Sequence, residues 1–202
     1  MNIEELQSSL DKIRAWRKLE LSQARSLAER HSSAAELPYL CRAWTLMIYA
    51  HCDQALKLVA KSYLEYLSDH PRHDYNYKTV WLTFFGKEAI RRGSDSRFSI
   101  CRDDSEEVHA LVLSNISGKE IFDRGNFSYQ QLRFFSEWIM QSKFDHRSFK
   151  AFCGTLKEKR DGIAHGEEVL IQNVSDCIAW HDPAVELLDA LVDTTMDVAV
   201  SH

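Results

Sequence analysis

Two side chains near the carboxyl end of the chain have the types and spacing for chemistry on a phosphate. Arg160 precedes His165 by five positions in the run Lys157-Glu158-Lys159-Arg160-Asp161-Gly162-Ile163-Ala164-His165-Gly166-Glu167. Arginine stays charged at any working pH, and its planar fork of donors matches a phosphate. Histidine is the one side chain whose ordinary pKa lets it take and give a proton near neutrality. The two are the minimum kit for cleaving a phosphodiester without a metal. One moves the proton of an attacking hydroxyl, and the other stabilises charge on the phosphorus oxygens.

Positions five apart lie roughly 140° from each other round a straight helix, so the pair would not share a face. Gly162 and Gly166 are the expected remedy. Gly166 is placed to be the residue that ends the helix, leaving His165 at the carboxyl end. Basic residues gather at helix ends for dipole reasons alone. The spacing by itself is therefore weak, and the surroundings must carry the assignment.

The run Arg160 to Glu167 resembles the Arg-(Asn/Asp)-x-x-x-His signature of the HEPN superfamily. A second stretch, Arg42-Ala43-Trp44-Thr45-Leu46-Met47-Ile48-Tyr49-Ala50-His51-Cys52-Asp53-Gln54-Ala55-Leu56-Lys57, resembles the long helix of the MAE_28990/MAE_18760-like and RiboL-PSP branches of that superfamily. The resemblance spans roughly residues 1–200, with two motifs in the expected order. It departs at Asp161, where Asn is commoner, at Cys52, where Trp is usual, and at Asp53, where Glu is usual. It implies a helical homodimer in which two motif helices meet in one composite cleft. It also implies that Asp161 orients Arg160 or His165, and that Asp53, with Lys57 supporting, is a second acid for that task; as i, i+4 neighbours Asp53 and Lys57 can equally pair with each other. Some HEPN toxins carry a tyrosine two residues after the histidine as a site of nucleotide modification. Glu167 stands there in this chain, so that route of neutralisation is not supported.

The chain has 202 residues, 45% apolar and 27% charged, ordinary for one soluble domain with a full core. The net charge of −5 argues against a general nucleic-acid coat. Locally the balance reverses. Between His146 and His165 the cations Arg147, Lys150, Lys157, Lys159 and Arg160 face only Glu158 and Asp161. These cations are the candidate RNA-binding residues, a local positive path on an acidic body. Cys41, Cys52, Cys101, Cys153 and Cys177 are odd in number and lack a Cys-x-x-Cys spacing, as expected of reduced, packed thiols. His70, His73 and Asp74 are too loosely placed to make a metal site. No metal or cofactor is expected. The amino terminus has no signal-peptide pattern, and no apolar run reaches the ~18–20 residues of a membrane span, so a cytoplasmic protein is expected.

The elements that must position the motif follow from periodicity. Ile3, Leu6, Leu10 and Ile13 open a helix over 3–30. Ser33 to Glu36 has a capping-box pattern, and Pro38 fits a helix start. From there to Asp69 nothing interrupts a helix of ~30 residues, about 45 Å long, apolar on several sides and so central or half-buried at a partner. Pro71 ends it. Residues 76–92 resume helical spacing, and 93–127 form a less regular insert. Ser128 and Gln131 cap a helix to about Lys143. Asp145 caps one over 146–165, and Asp182-Pro183 opens the last, to Val200. The expected fold is all-α, a single up-and-down bundle of five or six helices. Three functions remain open at this stage: a metal-independent endoribonuclease of the toxin or anti-phage kind, restrained by a partner protein; a HEPN dimer that binds RNA or protein without cutting; and a purely structural bundle.

Overall fold

The computed structural model describes residues 1–33, 35–72, 74–76, 127–142, 144–168, 171 and 173–201. Five α-helices lie among them: α1 (Ile3–Arg30), α2 (Leu37–Asp69), α3 (Tyr129–Phe134), α4 (Lys150–Ala164) and α5 (Val174–Val200). There is no strand among the described residues. The all-α expectation holds. The helix expected over 76–92 and the insert over 93–127 lie outside the described residues, apart from Asn76 and Phe127.

Helix α2 is the spine. Its buried positions include Cys41, Trp44, Ile48, Cys52, Leu56, Val59, Tyr63 and Leu67, and also Thr45, Tyr49, Ala60 and Tyr66. Such a spread leaves no single apolar stripe, so several neighbours must cover it. Helix α1 runs antiparallel to it: the amino group of Met1 meets Asp69, Ser9 Oγ lies 3.1 Å from Ser62 Oγ, and Glu20 lies 3.1 Å from His51 Nε2. Helix α5 runs parallel to α2, with Cys177 beside the Cys41 carbonyl at one end and Tyr66 donating to the Ala199 carbonyl at the other. Helix α1 is stitched to α5 by Arg14–Asp193 and Lys18–Asp189, at 2.7 and 2.8 Å. These exposed pairs align the helices more than they stabilise them.

Local chemistry sets the ends. Asn2 caps α1 reciprocally with Glu5. The expected box at Ser33–Glu36 does not form. Glu36 is the N-cap of α2 without a side-chain hydrogen bond, and Pro38 in the first turn pre-sets the backbone instead. Ser128 caps α3 as expected. The chain then continues as a π-helix over Phe135–Met140 and stops at Gln141, which has φ 48°. Trp138 is exposed on that wider turn. Residues 146–149 form turns, so α4 starts four residues later than expected, and Asp145 accepts from the Arg147 amide.

The largest correction is α5. It begins at Val174, capped by Asn173 with Asp176, and Pro183 sits inside it. The buried series Cys177, His181, Ala184, Leu188, Leu191 and Thr195 has unbroken 4-3-4-3-4 spacing across the proline. Pro183 removes only the bond to the Ala179 carbonyl, on the exposed side where water can replace it. The apolar stripe outweighs the proline.

Three histidines are buried among the described residues, His51, His146 and His181. His181 packs edge-on against Trp44 at 5.3 Å, and neither His181 Nδ1 nor Trp44 Nε1 has a hydrogen-bond partner. His51 packs against Trp16 and Glu20. Burial lowers the pKa of both below the ordinary value, against the pull of Asp182 on His181 and of Glu20 on His51. Their folded-state pKa values are depressed, so the stability they carry is complete above the unfolded value of about 6.5. It is lost as the pH falls from there through the lowered folded values. Thermal unfolding at pH 7.5 and pH 5.5 should show a lower Tm at pH 5.5, and the drop should shrink in His181→Leu.

Candidate active site

Helix α4 brings the motif to the spine. Phe152, Cys153, Leu156 and Gly162 are its buried positions, and Arg160 and Ile163 continue the 3–4 spacing of the first three. Arg160 is therefore on the side of α4 that faces α2, antiparallel to it. Its guanidinium carbon lies 4.9 Å over the ring of Tyr49. Arg160 Nη1 donates to Asp161 Oδ1 at 2.8 Å, and Lys157 Nζ donates to Asp161 Oδ2. The carboxyl of Asp161 is held below its usual range, first by the hydrogen bond from Lys157 and then by that from Arg160. Asp161 thus fixes both cations while remaining ionised.

His165 goes elsewhere. It is the C-cap of α4, with φ −87° and ψ 0°, and it is exposed. Gly166 follows at φ 75°. The Gly166 amide donates to the Ile163 carbonyl at 3.2 Å, and the Glu167 amide donates to the Gly162 carbonyl at 2.9 Å. These are the two bonds of a Schellman stop. The expectation for Gly166 holds. The glycines do not, however, turn His165 onto the face of Arg160. Among the described residues no hydrogen bond or ring contact joins the two side chains. Within one chain, an anchored arginine points at α2 and a histidine points at solvent.

The remaining candidates are dispersed. Asp53 lies on α2 one turn from Tyr49, but its ion pair is with Lys57, at 2.7 Å, and none is with Arg160 or His165. Asp53 Oδ1 is buried and has no hydrogen-bond partner. Lys157 is already engaged by Asp161. Lys159 is half-buried. Arg147 and Lys150 lie at the other end of α4, with Lys150 Nζ 5.7 Å over the Tyr129 ring. At 1.5 Å per residue that is roughly 22 Å from His165, several nucleotides along a strand. The five cations therefore do not form one cluster.

Tyr49 is the residue that reading for reactive groups passes over. It stands within the second motif, whose spacing gives it no role. The available signal was its position: it is aromatic, on the spine, four residues before Asp53. Its hydroxyl donates to the Phe127 carbonyl at 3.1 Å. Burial pushes its phenol up to about 12, with Arg160 opposing. The described thiols offer no nucleophile, and Cys101 lies outside the described residues. Cys41, Cys52, Cys153 and Cys177 are free and buried, and burial raises the pKa of each, to about 12 for Cys153 and Cys177. No group of three or more His, Cys, Asp and Glu among the described residues could hold a metal ion, and His73 lies outside them.

Gly166 can be tested directly. A Cβ there would meet nothing within 4 Å, so any cost of Gly166→Ala is the backbone conformation alone. Urea unfolding should show a loss of about 1 kcal/mol for Gly166→Ala and a smaller loss for Gly166→Asn, which tolerates a left-handed backbone better.

No described helix is long and apolar enough to cross a membrane. No curated protein and no solved structure matches the chain. The family model described as HEPN_MAE_28990/-like HEPN matches residues 6–201, which covers every helix described above and both motifs. On that match the chain belongs to the HEPN family, whose members are often ribonucleases and typically dimerise.

Proposed function

We propose that the protein is a metal-independent endoribonuclease acting as a homodimer. The observation that carries the reading is a fixed arginine and an exposed histidine in the last turn and a half of one helix, in a HEPN chain. Arg160 holds the scissile phosphate and its developing charge. His165 takes the proton of the ribose 2′-hydroxyl, whose oxygen attacks phosphorus. The 5′-oxygen leaves with a proton from a second histidine, giving a 2′,3′-cyclic phosphate. RNA is selected because DNA lacks the 2′-hydroxyl. Asp161 positions Arg160 through their ion pair. Lys159, Arg147 and Lys150 track the strand along α4, with Lys157 beside Asp161.

The divergence of Arg160 and His165 supports a shared site. One chain supplies one histidine, and the reaction needs a base and an acid. A two-fold axis beside α4 supplies two of each residue around one phosphate. The surface beside α4 suits such an axis. Tyr49 faces α4 and His51 faces α1, so Ala50, 100° from each, faces solvent between them. Ala50 continues an exposed stripe with Tyr39, Ala43 and Leu46, where Tyr39 is 70% exposed. Trp16 and Leu19 of α1, 52% and 57% exposed, flank it. Exposed apolar side chains gathered on one face are the usual mark of a contact surface. The setting that fits such an enzyme is the cytoplasm, in a toxin–antitoxin or anti-phage system with a partner protein restraining it.

The second reading is a HEPN dimer that binds RNA or protein and does not cut. Its support is Asp161, which neutralises part of Arg160 before any phosphate arrives. Cleavage of total RNA by purified protein in EDTA separates the two. Wild type should cut and leave cyclic phosphate ends, while His165→Ala and Arg160→Ala should lose about 10²-fold or more with the dimer intact. Cleavage of DNA, or an absolute need for magnesium, would sink the nuclease mechanism. Ala50→Arg should sediment as a folded monomer and lose cleavage. A wild-type monomer that cuts would refute the shared site.

A further inference from the structure

We infer that Tyr49 is a positioning residue for the phosphate-binding arginine, and that the face of its ring is the platform on which Arg160 rests. This rests on the assignment of Arg160 to the scissile phosphate. An arginine side chain has four rotatable bonds and is useful to a reacting phosphate only if its fork is held still. Asp161 holds it at one point, through Nη1. That single bond leaves the guanidinium plane free to swing about it. The Tyr49 ring restricts this freedom by lying beneath the guanidinium carbon, its centroid 4.9 Å away.

The platform is itself rigid. Tyr49 is 5% exposed. Its hydroxyl is tied to the Phe127 carbonyl at 3.1 Å, and its ring meets the Phe127 ring edge-on at 5.9 Å. Phe127 is fully buried and packs in turn on Phe152 of α4. The ring thus cannot rotate, and the face it offers to Arg160 is set by the α2–α4 contact. The phenol, pushed up to about 12 by burial, stays neutral across working pH, so the hydroxyl remains a donor. A neutral ring attracts the cation through its quadrupole without occupying any of its N–H groups. Asp161 occupies one donor of five, and the ring occupies none. The fork left over can meet a phosphate with two parallel bonds. A carboxylate in the place of Tyr49 would hold the arginine as firmly but would consume the donors the phosphate needs.

Tyr49→Phe keeps the ring and removes the hydroxyl, and Tyr49→Leu removes the ring. Two measurements are made on both beside wild type. The first is the NMR signal of the Arg160 side-chain Nε–Hε group, assigned by its loss in Arg160→Lys. A ring beneath the guanidinium shifts this proton away from the position of a solvated arginine. The shift is expected in wild type and in Tyr49→Phe and should vanish in Tyr49→Leu. The second is RNA cleavage. Tyr49→Phe should keep kcat within about threefold, and Tyr49→Leu should lower kcat about tenfold or more, with KM changed less than kcat. A wild-type signal at the solvated position overturns the inference whether or not the protein cleaves RNA. So does an unchanged kcat in a folded Tyr49→Leu. If wild type does not cleave at all, the nuclease reading fails while the shift in wild type and Tyr49→Phe still decides for or against the platform.

Discussion

Helix α2 buries side chains round most of its circumference, and that constraint organises everything else. A helix of 33 residues with 17 buried cannot be stable against one neighbour. Each large apolar side chain left wet would forgo roughly 1.5–3 kcal/mol. Helices α1, α5 and α4 are the walls that prevent this. Their order round the spine follows from which α2 positions they cover: His51 and Ser62 for α1, Cys41 and Tyr66 for α5, Tyr49 for α4. The side left between α1 and α4 carries the exposed Tyr39–Ala43–Leu46–Ala50 stripe.

The site inherits its geometry from that packing. Arg160 faces the spine because it continues the buried stripe of α4, and it takes an aromatic partner there because the spine offers one. His165 is on the other side because five residues turn a helix by roughly 140°, and the Schellman stop at Gly166 comes one residue too late to change this. The same helix that anchors one group therefore exposes the other. A metal-free phosphoryl transfer needs both groups at one phosphate, so a symmetric second copy is the simplest completion.

The core also contains groups whose burial is unfavourable. Arg17 is 2% exposed, gives one hydrogen bond to the Ile13 carbonyl, and leaves Nε unpartnered; burial lowers its pKa. Trp44 and His181 each leave a ring nitrogen unsatisfied. Such groups each cost of order 1–3 kcal/mol when no partner is found. They lie on α1, α2 and α5, away from the contact of Tyr49 with Arg160. The α2–α4 contact that carries the motif is built from apolar packing and one ring face, and the ion pairs of Asp161 with Lys157 and Arg160 lie within α4 itself.

The sequence alone determined the all-α class, the extents of α1 and α2 and the stop at Gly166. These are local facts: apolar spacing, a proline in a first turn, a glycine where the backbone must turn left-handed. It also pointed to Arg160 and His165, because their types and interval survive without coordinates. The start of α5 was misread because Asp182-Pro183 is a strong local start signal. Only the tertiary structure decided that the stripe from Cys177 to Thr195 had a wall to pack on across it. Asp53 is different: it pairs with Lys57, an i, i+4 neighbour on its own helix, which the spacing alone allows. Tyr49 and Arg160 are 111 residues apart in the chain. Which ring an arginine rests on is decided by how two helices cross, and no spacing within either helix contains that information.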